Sequence, residues 1–270
     1  MPELAEVAYY KNQWMPGEGH PVSAVLTHPA TRIYRECDPV RLADALTGKP
    51  LRHGLTAGKQ IAFVFGRNTW LGIHLGMTGG LLRGEANHTP GKWDHLVINL
   101  RGLSLIFKDP RQFGRVRLHE GGEPDWWTAI PTAPHEPEFT RDRLNSILSR
   151  HARAPLKAVL LRQDRFPGIG NWMADEICWR AALHPAIPAG TLDARQRSRL
   201  FKHLQAVCRD AMAVIAPDWS DPPDSWLFNH RWKDGGRCPK TGVPLIRETI
   251  AGRTTCWSPG RQAPPYTSSQ

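Results

Sequence analysis

The chain has 270 residues, with 35 Lys and Arg against 25 Asp and Glu and a formal net charge of +10. That excess points to a polyanionic partner bound in a salt-sensitive way, and the length allows two domains with cores of their own. No apolar run approaches the ~20 residues needed to span a bilayer, the start lacks the basic and apolar regions of a signal peptide, and five scattered cysteines do not make a secreted disulfide framework. A cytoplasmic monomer without membrane contact is predicted.

In chain order, Met1-Pro2-Glu3-Leu4-Ala5-Glu6-Val7 opens a helix, with Leu4, Val7, Ala8 and Lys11 at helical spacing and Pro2 at the first helical position. If an aminopeptidase removes Met1, Pro2 becomes a free secondary amine and a candidate nucleophile. Glu3 and Glu6 share the face beside it, where the helix dipole favours carboxylates. An amine with an acid next to it is equipped to form a Schiff base. Taken alone, proline followed by acids is more often ordinary helix-start chemistry.

Pro16-Gly17-Glu18-Gly19 ends this helix, and 22–26 and 32–35 read as short strands. Asp38 and Pro39 read as N-cap and first residue of a helix through Leu46. Apolar runs at 61–65, 70–75, 96–100, 103–107 and 116–118, separated by turn residues, predict an antiparallel sandwich or barrel. The stretch 120–138, rich in Pro, Gly, acids and Trp, reads as a linker. Helices are predicted over 141–151, 156–163, 172–182, 193–215 and 225–231, then a hairpin from 243–246 and 248–250. The expected organisation is α+β: a catalytic domain at 1–119, a helical DNA-binding domain at 139–232, a finger-like hairpin at 233–262 and a disordered tail at 263–270.

Two turns carry further chemistry. Arg165-Phe166-Pro167-Gly168-Ile169-Gly170-Asn171 feeds a helix with Asn171 as its N-cap, a place where backbone N–H groups can cradle a phosphate. Lys157 on the preceding helix adds a charge. In Asp109-Pro110-Arg111-Gln112-Phe113-Gly114, Arg111 and Phe113 stand two apart on one side of a turn, the pair needed to fill the gap left by an extruded nucleotide. Met77 supplies a third filler. A plain capped helix and an ordinary hairpin tip are the competing readings.

The motifs Met-Pro-Glu-Leu-x-Glu-Val, His-Leu-Gly-Met-x-Gly, Asp-Pro-Arg-x-Phe-Gly, Gly-Ile-Gly-Asn-x-x-Ala-Asp-Glu, His184-Pro185 and Gly252-Arg253-x-Thr255 occur in that order over nearly the whole chain. Together they resemble the formamidopyrimidine-DNA glycosylase and endonuclease VIII family. The resemblance implies a β-sandwich domain opened by the catalytic helix, a helix-two-turn-helix domain, and damaged double-stranded DNA bound in the cleft between them. It implies base excision through a Schiff base at Pro2, with Glu3 as proton donor beside Glu6, and strand cleavage by β,δ-elimination assisted by Lys59 and Arg253. Met77, Arg111 and Phe113 would fill the void, while Asn171 and Lys157 hold the backbone. A non-catalytic binder of damaged or abasic DNA is the alternative.

Departures from the family pattern are also legible. Many members carry a four-cysteine zinc finger, whose positions fall here on Cys238, Thr241, Ser258 and Arg261. One thiol cannot supply a four-ligand site, so a zincless hairpin and no cofactor are expected, with His230 and Cys256 as improbable makeshift ligands. Ala5, Ala8 and Trp93 replace usual residues, and 215–237 is shorter than in members that close a long loop over 8-oxoguanine, leaving the preferred lesion open.

Overall fold

The computed structural model describes residues 1–28 and 31–265; the tail expected over 263–270 lies, from 266 onward, outside them. The chain divides into two compact units, Met1–Ile130 with Ala216–Trp219, and Pro131–Ile215 with Ser220–Gln270. Among the described residues no helix is long and apolar enough to cross a membrane.

The first unit is a sandwich. Helix α1 (Leu4–Trp14) precedes β1 (Val22–Thr27), α2 (Pro39–Leu46), β2 (Leu51–Ala57), β3 (Gln60–Phe65), β4 (Thr69–His74), β5 (Gly80–Glu85), β6 (Asp94–Leu100), β7 (Leu103–Lys108) and β8 (Arg115–Glu120). The strands form two four-stranded sheets, ordered β1-β6-β7-β5 and β2-β3-β4-β8, with antiparallel neighbours. Phe63, Phe65, Leu81, Ile98 and Phe107 fill the core, and Val7 and Trp14 bring α1 onto it. Trp14 lies 4.8 Å from the Phe63 ring. Burying side chains such as Leu4 and Val7 stabilises this docking by about 1.5–3 kcal/mol each.

Strands β3 and β4 are apolar on both faces because both are covered. A short helix, α3 (Asp125–Thr128), lays Trp126 and Trp127 against Ala62, Val64 and Trp70 on the side away from the core. Gly72 makes room for it, since a Cβ there would meet the Trp126 ring at 2.6 Å. Residues 32–35 are not a strand: Arg32–Tyr34 is a 3₁₀ turn, with the Thr31 hydroxyl accepting from Ile33 N and the Tyr34 hydroxyl donating to His95 O at 2.6 Å.

The second unit holds α4 (Arg141–Arg150), α5 (Leu156–Leu160), α6 (Asn171–Arg180), α7 (Ala194–Val214) and a hairpin of β9 (Ile246–Ile250) and β10 (Arg253–Trp257). Asp193 caps α7, its carboxylate accepting from Gln196 N at 2.7 Å while Gln196 accepts from Asp193 N at 2.9 Å. Leu200, Leu204, Val207, Cys208 and Ala211 bury one stripe of that helix. The helix predicted over 225–231 is a 3₁₀ turn, Leu227–His230. The predicted hairpin also shifts: 246–250 pairs with 253–257, not with 243–246. Its tip, Ala251 and Gly252, takes φ +51 and +73, the left-handed pair that a two-residue turn between twisted strands requires.

Candidate active site

In the first unit the chemistry gathers at the start of α1. Pro2 is not the first helical residue. Glu3 is the N-cap, extended at φ −102 and ψ −171, so Pro2 stands one position ahead of the cap. Glu3 and Glu6 form a reciprocal capping box, with Glu3 N donating to Glu6 Oε2 at 2.7 Å. Glu3 is buried and Met1 exposed. Two carboxylates are thereby fixed in the turn that directly follows Pro2, and the carboxylate-rich helix start is a consequence of capping as well as of charge.

Lys59 sits in the two-residue turn between β2 and β3, beyond the Ala57–Gln60 pair. Across β3 and β4, Gln60 pairs with His74, and His74 pairs with Arg115 of β8. These cations share one end of the sheet. Burial, and then the fields of Arg115, Lys59, Arg117 and Arg35, push His74 down to about 4, so its ring is neutral near pH 7. Its Nδ1 then accepts from Gly76 N at 3.1 Å. Glu36 offsets part of the charge by binding both Arg115 and Arg117.

His74 leads into the turn bearing Met77, and this turn touches the one bearing Arg111 and Phe113. Gly76 has φ +65, and a Cβ there would lie 2.5 Å from the Phe113 carbonyl carbon. Met77 and Phe113 are both exposed, and the Arg111 guanidinium lies 4.8 Å from the centre of the Phe113 ring. Asp109 organises the arrangement. Its fully buried carboxylate accepts from Thr78 Oγ1 at 2.8 Å, Gly114 N at 2.7 Å and Arg111 N at 3.3 Å. Sequence reasoning passed over Asp109, although Asp before Pro in a turn is itself a signal of such side-chain-to-backbone bonding.

In the second unit Arg253 opens β10 and is exposed at the hairpin tip. Two sequence expectations change here. Asn171 does not cap α6; Gly170 does, and Asn171 is the first helical residue, its Nδ2 donating to Thr254 O at 2.9 Å. Lys157 is not placed to meet a phosphate, because its side chain is fully buried. Its ammonium pairs with Asp175 Oδ1 at 2.7 Å and donates to Thr254 O and Thr255 Oγ1, both at 2.8 Å. Burial lowers the Lys157 pKa, and Asp175 opposes that shift. The other Asp175 oxygen accepts from Arg231 at 2.6 Å and from Cys256 N at 3.0 Å. Lys157 and Asn171 therefore act on the residues that follow Arg253, as positioning groups.

Two of the positions that match the finger cysteines, Thr241 and Ser258, gather on Cys238. Burial pushes its thiol up, but hydrogen bonds from Ser258, Thr241, Trp179 and the Lys240 backbone outweigh this and bring it down to about 7. The Trp179 indole donates at 3.4 Å, and Arg261 reaches Trp179 O. One thiol, two hydroxyls and a guanidinium do not fit the donor set of a structural zinc site.

Two family models match: the formamidopyrimidine-DNA glycosylase N-terminal domain over residues 1–116 and the H2TH domain of that enzyme over residues 130–218. The formamidopyrimidine-DNA glycosylase of Roseiflexus sp. (strain RS-1) is 33% identical over 243 residues, spanning 85% of this chain and 87% of the relative. That of Geobacter sulfurreducens is 32% identical over 274 residues, spanning 96% and 98%. Among solved structures, the Lactococcus lactis Fpg (MutM) in complex with DNA containing an oxidized pyrimidine has the same fold, at TM-score 0.87 and 23% identity over 97% of this chain and 100% of that one. A sandwich led by a carboxylate-capped helix, an H2TH unit with its arginine-tipped hairpin, and relatives of this identity over nearly their full length have one reading in common: the chain belongs to the formamidopyrimidine-DNA glycosylase family.

Proposed function

We propose that the chain is a DNA glycosylase of base excision repair and an abasic-site lyase, acting on double-stranded DNA with an oxidised base or an abasic site. The observation that carries this is the first turn of α1, where Pro2 directly precedes two carboxylates locked in a capping box. With Met1 removed, the Pro2 nitrogen attacks C1′ of the damaged nucleotide and the base leaves with the electrons of its glycosidic bond and a proton. Glu3 protonates O4′ as the sugar ring opens, leaving an iminium. Loss of a 2′ proton expels the 3′ phosphate, and a second elimination expels the 5′ phosphate, with Lys59 and Arg253 serving these steps. Met77, Arg111 and Phe113 occupy the place of the extruded nucleotide. The names of the relatives and the DNA of the L. lactis complexes, which include Fapy-dG and abasic sites, support this substrate class.

The hairpin carrying Arg253 is proposed to be zincless, held by the Lys157–Asp175 pair, Asn171 and the packing of Cys238, Cys256, Trp179, Leu227 and Leu245. One tightly held zinc per purified chain would overturn that reading.

The test of the activity is borohydride trapping on a labelled duplex with one abasic site, followed by mass spectrometry of the adduct. The expected result is a covalent adduct on a peptide beginning at Pro2. Tight binding without an adduct would show a non-catalytic binder of damaged DNA instead.

A further inference from the structure

Helix α1 continues past its first turn into an aromatic patch that the mechanism above does not use. Tyr9 and Tyr10 lie three and four residues beyond Glu6, on the same side of the helix. Trp219 rests against both, its ring centre 4.8 Å from that of Tyr9 and 5.3 Å from that of Tyr10, with the planes at 66° and 61°. The two tyrosines are themselves 5.4 Å apart. Gly80 makes space for this arrangement, since a Cβ there would approach the Tyr10 ring to 2.9 Å.

Packing alone does not account for Trp219. The indole is 43% exposed, and its backbone is held at φ +65, a left-handed conformation unfavourable for a bulky side chain. Strain of this kind persists where the surroundings impose it and is concentrated at binding and catalytic sites. The segment leading to it is anchored: Asn12 Nδ2 donates to Ala216 O at 2.9 Å, and Pro217 restricts the chain between that anchor and the tryptophan. The three rings meet at steep angles, and Trp219 keeps part of its surface open to solvent, surface available to an incoming ring.

We infer that Trp219, backed by Tyr9 and Tyr10, is the stacking subsite for the extruded nucleobase, one helical turn from Glu6. The inference rests on the glycosylase reading and adds the chemistry by which the base is held. Stacking tolerates different bases because each has a π-face. The class favoured is therefore planar damaged bases, purine-derived or pyrimidine, over saturated and puckered rings.

An abasic site has no base to stack, which separates this inference from the one beneath it. Single-turnover cleavage is measured on two duplexes, one with a formamidopyrimidine and one with an abasic site, for the wild type and for Trp219→Ala, Trp219→Leu and Trp219→Phe. The expected result is a loss of about 10- to 100-fold on the formamidopyrimidine duplex for the Ala and Leu variants, with Phe largely retaining the rate, and little change on the abasic duplex for all three. A parallel loss on both duplexes, or no loss on either, overturns the subsite. Leu keeps apolar packing without a π-face, so full activity in Trp219→Leu also overturns it. A wild type inactive on both duplexes overturns the glycosylase reading itself and this inference with it.

Discussion

Lys157 and Asp175 form a fully buried ion pair at 2.7 Å, and between them they bond to three consecutive residues of β10: Thr254, Thr255 and Cys256. A pair of this kind contributes little net stability, and without Lys157 the carboxylate keeps Arg231 as its cation, but the buried Thr254 carbonyl and Thr255 hydroxyl lose a charged donor. Lys157→Met should therefore destabilise the protein by about 1–3 kcal/mol, read as a lower midpoint in urea unfolding. The double change Lys157→Met with Asp175→Leu should lose more, because it leaves the buried Arg231 guanidinium without its carboxylate. Equal stability of Lys157→Met and the wild type would show that the pair does not hold β10.

Arg253 stands on the platform so built. Because it is exposed at the hairpin tip, Arg253→Ala should leave the thermal midpoint unchanged. Affinity for an abasic duplex should fall, and the slope of log K against log salt should become shallower by about 0.9, the share of one phosphate contact. An unaltered slope would remove Arg253 from the phosphate contacts.

Asp109 ties the turn of Arg111 and Phe113 to that of Met77 by three accepted hydrogen bonds. Hydrogen bonds to a charged group contribute about 1.5–3 kcal/mol each, not additively. Asp109→Ala should cost about 3 kcal/mol of stability, and Asp109→Asn less, since its one oxygen keeps part of the set. Damaged-DNA binding should weaken in step with the loss of turn structure. Urea unfolding and binding titrations on the same variants check both, and a stable Asp109→Ala with intact binding would refute the role.

His74 gives stability a pH dependence. Its folded pKa is held down at about 4, against an ordinary 6.5. Between those values the unfolded chain binds more protons than the folded one, so stability rises with pH through that window and is lost as pH falls from 6.5 toward 4. The full shift corresponds to about 3 kcal/mol at most. In His74→Asn the amide oxygen can still accept from Gly76 N, and the dependence between pH 4 and 6.5 should flatten. A profile identical to that of the wild type would show that other groups set it.

Much of this was legible from residue types. Asp38 before Pro39 announced α2, and the apolar runs announced β3, β4, β6, β7 and β8, because turn chemistry and burial act locally. Leu51–Ala57 and Gly80–Glu85 were missed, since exposed positions and glycines leave these strands no apolar run and their pairing with β3 and β7 decides them. Lys157 was misjudged for a related reason. A lysine on a helix looks like a surface charge until the fold brings Asp175 and Thr255 to it. Position 2 was placed two residues too far into the helix because proline at a helix start does not reveal which residue caps it. Trp219 gave no signal at all, since neither its backbone strain nor its neighbours on α1 are written in its local sequence.

The glycine at position 72 ties its own history to that of position 126. While the Trp126 ring lies 2.6 Å from where a Cβ would stand, a side chain enters at 72 only if the tryptophan ring shifts or is traded for something smaller. The two positions, far apart in the chain, are thus expected to change together across descendants of this sequence, small with large.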